Sequence, residues 1–355
     1  MGSEINYSTA ETQLEKLLSQ NLIIEDKEHA LLGLKLFGYS NLIKSYRDPY
    51  IIKNGDKKLY RTGVTFDQIS SLYFFDKTLR NAVMASMLDL EEHIKEIAAN
   101  VVAQSFGVDQ EDYLKYRNYQ NKRKRKPRFS LTNILETMKA AIDTDKEPIH
   151  HYKTKYKTVP PWILFKSIYF STITNFIDQF KPAQQKQMVS YLYDAQELKL
   201  SDDALCKLMM DTLFICMDYR NMAAHGGRIY NYESKSRLRI EEIFGTDHRI
   251  NVSGLSKLLF LLSLFRYQNP YNRLQQTLEL ELNRHCNAFP EDVTYLGQIL
   301  NINITQQKIV WISKNSNKYH LDKHCSGMND AMQMDEADAK ASNYIPCQRC
   351  YKRLI

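Results

Sequence analysis

LMMDTLFICMDYRNMAAHGGRIYNY, from Leu208 to Tyr232, is the stretch whose reading decides the fold. Met209, Leu213, Ile215, Cys216 and Met217 give it the apolar character of a buried helix, and Gly226 and Gly227 supply the place where that helix stops. The polar residues Arg220, Asn221 and His225 gather at its end. Arg220 and His225 are five residues apart, about 140° round a helix, so they flank a common edge and one phosphate can touch both.

A helix C-terminus carries partial negative charge from its unpaired carbonyls, which favours a protonated imidazole at His225 and offsets the opposing push of Arg220. That suits RNA cleavage by proton transfer. A base takes the 2′-hydroxyl proton, an acid supplies the 5′-oxygen, and a guanidinium holds the phosphorane charge, with no metal required. Spacing alone favours the blander reading, a surface arginine and a helix-capping histidine.

The wider text, RNMAAHGGRIYN, resembles the RxxxxH signature of HEPN ribonucleases in the form used by the Abi_2 abortive-infection family of AbiD and AbiF types, with Arg220, Asn221, Ala224, His225, Arg228 and Asn231 at the motif positions. Three further stretches look like segments of that family in the same order: LFGYSNLIKSYRD at Leu36 to Asp48, LYFFDKTLRNAVMASMLDLEEHIKEIAANV at Leu72 to Val101, and VPPWILFKSIYFSTITNFID at Val159 to Asp178. The resemblance covers roughly residues 10 to 235. It implies an all-α HEPN-type bundle and an endoribonuclease of abortive-infection or toxin type. Arg220 would hold the phosphate, His225 would serve as acid or base, and Asn221 would orient the pair or the substrate. HEPN catalysis usually draws on two facing motifs and this chain has one, so the resemblance also implies a homodimer with a composite cleft. The family is similar to the RNA-guided nucleases of type VI CRISPR systems, which implies a bound non-coding RNA as guide, antitoxin or target. The competing expectation is a non-catalytic RNA-binding protein whose RxxxxH only grips phosphate.

The chain has 355 residues, enough for one large domain or two, and a formal net charge of +7 that permits a polyanionic partner without demanding one. No secretory leader and no run of eighteen apolar residues is apparent, so a cytoplasmic protein that does not enter a membrane is expected. The six cysteines do not form a disulfide framework. Cys206, Cys216 and Cys286 read as core residues in a reducing compartment.

Helices are expected from Ser8 to Ser19, Asp26 to Lys35, Thr65 to Ala103 with a possible break near Phe74 to Lys77, Ser130 to Ile142, Trp162 to Phe180, Pro182 to Leu192 and Ser201 to Ala224. Further helices follow from Ser236 to Phe244, Ser253 to Tyr267 and Tyr271 to Cys286. Glu92 and Lys95 read as an ion pair, and the resemblance makes either a helper at the site. His150 and His151 fall in a loop and read as surface residues.

Residues 113–129 form a basic segment, where Lys122, Arg123, Lys124, Arg125, Lys126 and Arg128 are too crowded to pack together and so predict an exposed arm. With Tyr113, Tyr116, Tyr119 and Phe129 interleaved, these six cations are candidates for gripping RNA, as is Arg228, while the rings stack on bases. The alternative is a solvated linker.

Residues 1–290 therefore read as the helical domain and 291–305 as a connection. Residues 306–355 read as a small α+β domain opening with a hairpin that turns at Lys314 to Asn317. His320, Cys325, Cys347 and Cys350 present one nitrogen and three thiolates, the set that tetrahedral Zn²⁺ takes, with His324 as an alternative nitrogen. Some fifty residues bury little core, so a structural zinc would be a useful staple. The layout also resembles the small metal-binding domain of Ada.

Overall fold

The computed structural model describes residues 7–54, 57–246, 250–304, 309–321, 323, 325, 328 and 330–351. In chain order it begins with α1 Ala10–Ser19, α2 Lys27–Phe37, strands β1 Ile51–Asn54 and β2 Lys57–Tyr60, and the long α3 Phe66–Phe106. There follow α4 Gln110–Tyr113, α5 Leu131–Ile142, α6 Ile149–Tyr156, α7 Pro161–Leu164, α8 Phe170–Asp178, α9 Pro182–Leu192 and α10 Ala195–Leu198. Next come α11 Asp202–Ala224, α12 Ile240–Phe244, α13 Gly254–Ser263, α14 Asn269–Ala288 and α15 Val293–Leu300. The chain closes with β3 Ile309–Ile312, β4 Lys318–His320, β5 Met332–Asp335, α16 Glu336–Ala341, β6 Ile345–Pro346 and α17 Gln348–Tyr351. This is a helical bundle with a small α+β domain at its C-terminal end. No helix among the described residues is long and apolar enough to cross a membrane.

Two compact units make up the chain, one of Met1–Asp76, Leu278–Gln298 and Ile302–Ile355, the other of Lys77–Thr277 and Ile299–Asn301. In the first, Thr9 caps α1 by accepting from the Thr12 amide and Asp26 caps α2 by accepting from His29. Leu17, Leu34, Ile69 and Leu72 are buried there. One buried carboxylate organises the polar interior: Asp292 accepts from the Tyr50 hydroxyl at 2.6 Å and the Gln68 amide at 3.1 Å, and lies 2.9 Å from His285 Nε2. The other ring nitrogen of His285 is 2.8 Å from Ser71 Oγ. Each of these groups finds a partner, which is what lets them be buried at all. The β1–β2 hairpin, paired from Ile51↔Tyr60 to Asn54↔Lys57, was not expected. Its strands are short and carry Lys53, Lys57 and Lys58, so no apolar alternation marks them.

The C-terminal sheet has the order β5-β3-β4-β6. β3 and β4 form the expected hairpin, antiparallel with Trp311↔His320 and Ile312↔Tyr319, while β6 runs parallel to β4. Its small core is Val310, Ile312, Tyr319 and Ala339, with Met334 and Tyr344 against it.

In the second unit the remainder of α3 is unbroken, so the possible interruption near Phe74 does not occur. The Trp162 to Phe180 stretch, in contrast, is not one helix. α7 ends at Leu164, and Ile168 and Tyr169 are both extended before α8 restarts at Phe170. A single helix would have put apolar side chains on nearly all its faces. The break buries Phe165 and Ile168 and sends Tyr169 out to 78% exposure. His150 and His151 lie in α6 rather than in a loop.

Candidate functional site

α11 begins where its sequence says it should. The Ser201 side chain accepts from the Ala204 amide, and Asp202 and Asp203 occupy the first turn, where the helix dipole favours negative charge. It ends in a Schellman turn: the Gly226 amide bonds the Ala223 carbonyl at 3.2 Å and the Gly227 amide bonds Met222 at 3.0 Å. Gly226 takes φ +70°, a conformation that costs a residue without Cβ little. His225 is the capping residue itself and stands exposed, with its amide bonded to the Asn221 carbonyl at 3.1 Å.

Past this turn the chain doubles back along α11 and is stitched to it. Tyr219 donates to the Tyr232 carbonyl at 3.0 Å, and Asp218 accepts from the hydroxyls of Ser234 and Ser236, each at 2.8 Å. Arg239 donates to Asp211 through Nε and through Nη2, the latter at 2.8 Å. Asp211 and Asp218 are seven residues apart, so one face of α11 anchors the returning chain. A further clamp comes from α3, where Arg80 Nη1 donates to the Gly226 carbonyl at 2.9 Å.

Arg220 is 28% exposed and turns to α3, where its Nε lies 3.7 Å from Glu91 Oε2. The pair is electrostatic: neither of these two buried atoms makes a hydrogen bond. The other Glu91 oxygen takes Lys95 Nζ at 2.7 Å, an i,i+4 pair. Lys95 therefore belongs to Glu91, where the expected partner was Glu92, and Glu91 is the acidic residue that faces the motif. α3 and α11 pass in opposite directions here, Glu91 meeting Arg220 and Arg80, three turns back, meeting Gly226. Asn221 and Arg228 are half-buried.

Beside Glu91 opens a cavity of about 790 Å³, lined by Asp89, Glu92, His93, Lys95, Trp162, Lys166 and Tyr267 among others. Tyr267 donates to Asp89 at 2.7 Å, a bond that raises the pKa of its hydroxyl. Burial lowers the pKa of His93, with Asp89 opposing.

The basic segment is only partly an exposed arm. Lys122 and Lys124 both pair with Asp178, the Lys122 amide is bonded to the Gln179 side chain at 2.8 Å, and the Lys124 ammonium lies 5.5 Å from the Phe214 ring centre. Arg123, Arg125, Lys126 and Arg128 are exposed, Arg128 lying over the Phe129 ring at 4.7 Å. Tyr113 and Tyr119 are not available for stacking. Both are buried, Tyr113 donating to the Val159 carbonyl and Tyr119 to that of Tyr113, each at 2.6 Å. Tyr116 is exposed.

In the C-terminal domain the fold brings three of the four expected ligands together. Tyr319 of β4 is level with Pro346 of β6, so His320 and Cys347, each one residue on, emerge side by side, and the Cys347 amide bonds the Tyr319 carbonyl at 2.9 Å. Cys325 follows in the loop after β4. The ligand atoms of His320, Cys325 and Cys347 all lie within 4.8 Å of one another and all three residues are buried. Thiolates bound to one zinc ion at about 2.3 Å sit roughly 3.8 Å apart, so this group needs only a small contraction to hold a metal. Burial lowers the pKa of His320, which keeps the imidazole neutral, the form with a lone pair to give. Cys350 stands in α17, but its side chain, like the whole of His324, lies outside the described residues. Elsewhere the cysteines are inert. Burial pushes the thiol of Cys216 up, and that of Cys286 to about 11.

The fold and the site thus define a helical protein carrying a polar helix end and, separately, a cluster able to take a metal. The family model described as Abi-like protein matches residues 33–231, more than half of the chain, and the chain belongs to that family, whose name ties it to abortive infection. No curated protein matches it, and no solved structure does.

Proposed function

We propose that this protein is a HEPN-type endoribonuclease of bacterial abortive infection or of a toxin system. The observation that carries the reading is the end of α11: His225 exposed on a braced turn, with Arg220 five residues earlier held by charge against Glu91 rather than sequestered in hydrogen bonds. The part of this guanidinium that reaches solvent, and not its buried Nε, can take up a phosphate oxygen as negative charge grows on it. The 2′-oxygen of the RNA attacks phosphorus while a base takes its proton. The bond to the 5′-oxygen breaks as an acid supplies one, leaving a 2′,3′-cyclic phosphate and a 5′-hydroxyl. His225 fills one of these proton-transfer roles, and the partner copy's motif in a homodimer supplies the other. Asn221 orients the phosphate, and the route uses no metal ion. The zinc held by His320, Cys325, Cys347 and Cys350 is structural.

Arg123, Arg125, Lys126, Arg128 and Arg228 grip the RNA backbone, Lys122 and Lys124 shaping the segment that presents the first four. A cognate non-coding RNA is the expected companion, and the cytoplasm the expected place of work. Incubating the purified protein and its Arg220→Ala and His225→Ala variants with total RNA, then sequencing the ends, tests this. Cyclic-phosphate ends made by the parent and lost in both variants, with RNA binding kept, support it. RNA bound but left intact by the parent identifies a non-catalytic RNA-binding protein instead.

A further inference from the structure

The cavity that shares Glu91 with the Arg220 pair is built for more than the cleavage chemistry uses. Its volume of about 790 Å³ lies in the range of roughly 300–1,000 Å³ that suits a small ligand. Three aromatic side chains line it, Trp162, His93 and Tyr267. His93 and Tyr267 lie against each other with ring centres 4.6 Å apart at 33°, and the Tyr267 hydroxyl is held by Asp89, so this wall is fixed before any ligand arrives.

The charges divide into used and unused. Glu91 is taken by Lys95 and faces Arg220, and Asp89 accepts from Tyr267. Glu92 and Glu96 also line the cavity, are exposed, and lie one turn apart on α3, with no hydrogen bond or ion pair among the described residues. Lys166, on the opposite lining segment, is likewise exposed and unengaged among them. Such a lining asks for a flat aromatic ligand with adjacent N–H donors on one edge and an anion elsewhere.

Among the four RNA bases only guanine answers this. Its Watson–Crick edge sets N1–H beside the 2-amino group, two neighbouring donors for one carboxylate. Adenine and cytosine set their amino group beside a ring nitrogen that accepts, and uracil flanks its single N–H with two carbonyls. Each of those three turns a lone pair toward the carboxylate, so a hydrogen bond is lost and two electron-rich atoms face each other.

We propose that this cavity is a guanine-base pocket, in which a carboxylate of the Glu92 and Glu96 pair accepts from N1–H and the 2-amino group, Trp162 lies on the base face and Lys166 meets the nucleotide phosphate. The consequence that cleavage falls beside guanosine rests on the nuclease reading above, whereas the binding does not.

Calorimetric titration of the full-length, metal-loaded protein with the 5′-monophosphates of guanosine, adenosine, cytidine and uridine tests the pocket. The guanosine nucleotide is expected to bind at least about tenfold more tightly than the other three. The Trp162→Ala variant and the Glu92→Gln, Glu96→Gln double variant should each lose that preference, and the His225→Ala variant should keep it. Equal binding of the four nucleotides, no binding of any, or a guanosine preference that survives both pocket variants would overturn the proposal. A protein that prefers the guanosine nucleotide but cleaves no RNA refutes the nuclease reading alone. One that cleaves without a guanosine preference refutes the pocket alone.

Discussion

Arg80 donates from Nη1 to the carbonyl of Gly226 across 2.9 Å, joining two residues 146 positions apart at the turn that presents His225. This hydrogen bond is open to solvent and so worth no more than about 1 kcal/mol, but it fixes the turn on which the imidazole stands. Arg80→Ala should therefore lower RNA cleavage by on the order of 10-fold to 100-fold through misplacement while leaving RNA binding within about twofold. Arg80→Lys, which keeps the charge on a shorter reach, should recover part of the rate. Cleavage by Arg80→Ala at the parental rate would show that the turn needs no brace.

Glu91 serves two cations at once, Lys95 at 2.7 Å and Arg220 at 3.7 Å. Glu91→Gln removes the charge that holds both and keeps the shape. Arg220 then loses the attraction that keeps it against α3, and cleavage should fall by roughly 10-fold or more. Glu92→Gln, one residue along and outside that contact, removes the same charge; it should blunt the preference for cleaving beside guanosine while lowering the total rate less than Glu91→Gln does. An equal loss of total rate in both variants would mean that general negative charge, and not the Glu91 contact, matters.

The two variants also mark what the sequence made legible. α11 and its stop could be read locally, because Ser201, the apolar run and Gly226 are each a short-range signal, and the clustering of His320, Cys325 and Cys347 in the last domain could be expected from their type and spacing. Glu91 was within reach, since a Glu four residues before a Lys is the better helix pair, yet the eye falls on the three-residue spacing of Glu92 and Lys95. Arg80 was not, because its partner is a backbone carbonyl far along the chain. Tyr113 and Tyr119 misled for a related reason: beside a run of cations they look like stacking platforms, and only the fold shows their hydroxyls spent on buried carbonyls. The break between α7 and α8 was equally hidden, an apolar run looking the same whether or not it is one continuous helix.

Within the basic segment Lys122 and Lys124 turn to Asp178 while Arg123 and Arg125 face solvent, and the difference has a salt signature. Each phosphate-contacting cation removed lowers the slope of log affinity against log salt by about 0.7 for single-stranded RNA. Arg123→Ala and Arg125→Ala should each produce that change with the helical fold intact. Lys124, 11% exposed and paired with Asp178, should leave the slope unchanged when replaced by alanine and lower the melting temperature instead. If Lys124→Ala flattens the salt dependence as Arg125→Ala does, the pairing with Asp178 gives way when RNA binds.

The buried carboxylate of Asp292 is the hub of the first unit, since Tyr50, Gln68 and His285 all turn to it. Asp292→Ala leaves three buried polar groups without their partner and should cost about 3–5 kcal/mol, read as a lowered denaturation midpoint. Asp292→Asn keeps the volume and one acceptor and should cost less. An alanine variant as stable as the parent would mean that water replaces the carboxylate.

His320, Cys325 and Cys347 converge because β6 lies parallel to β4 with Pro346 level with Tyr319, and that geometry makes the metal a structural question. Among the described residues the domain's own core is Val310, Ile312, Tyr319 and Ala339, little to hold a sheet and two short helices by hydrophobic burial alone. A zinc ion bound by the folded domain and not by the unfolded segment adds its binding free energy to the domain's stability. The purified protein should then carry one zinc per chain by elemental analysis, and Cys347→Ser or Cys325→Ser should lose it. Cys206→Ser, far from the cluster in sequence and on α11, should keep it. Loss of the metal should expose the C-terminal segment to protease while the far-ultraviolet signal, dominated by the helical bundle, changes little. Because the proposed cleavage route uses no metal, a zinc-free variant should still cut RNA if the bundle holds the whole reaction. Full zinc occupancy in both the Cys325→Ser and Cys347→Ser variants would put the metal elsewhere, and its absence from the parent protein would leave the cluster as buried thiols.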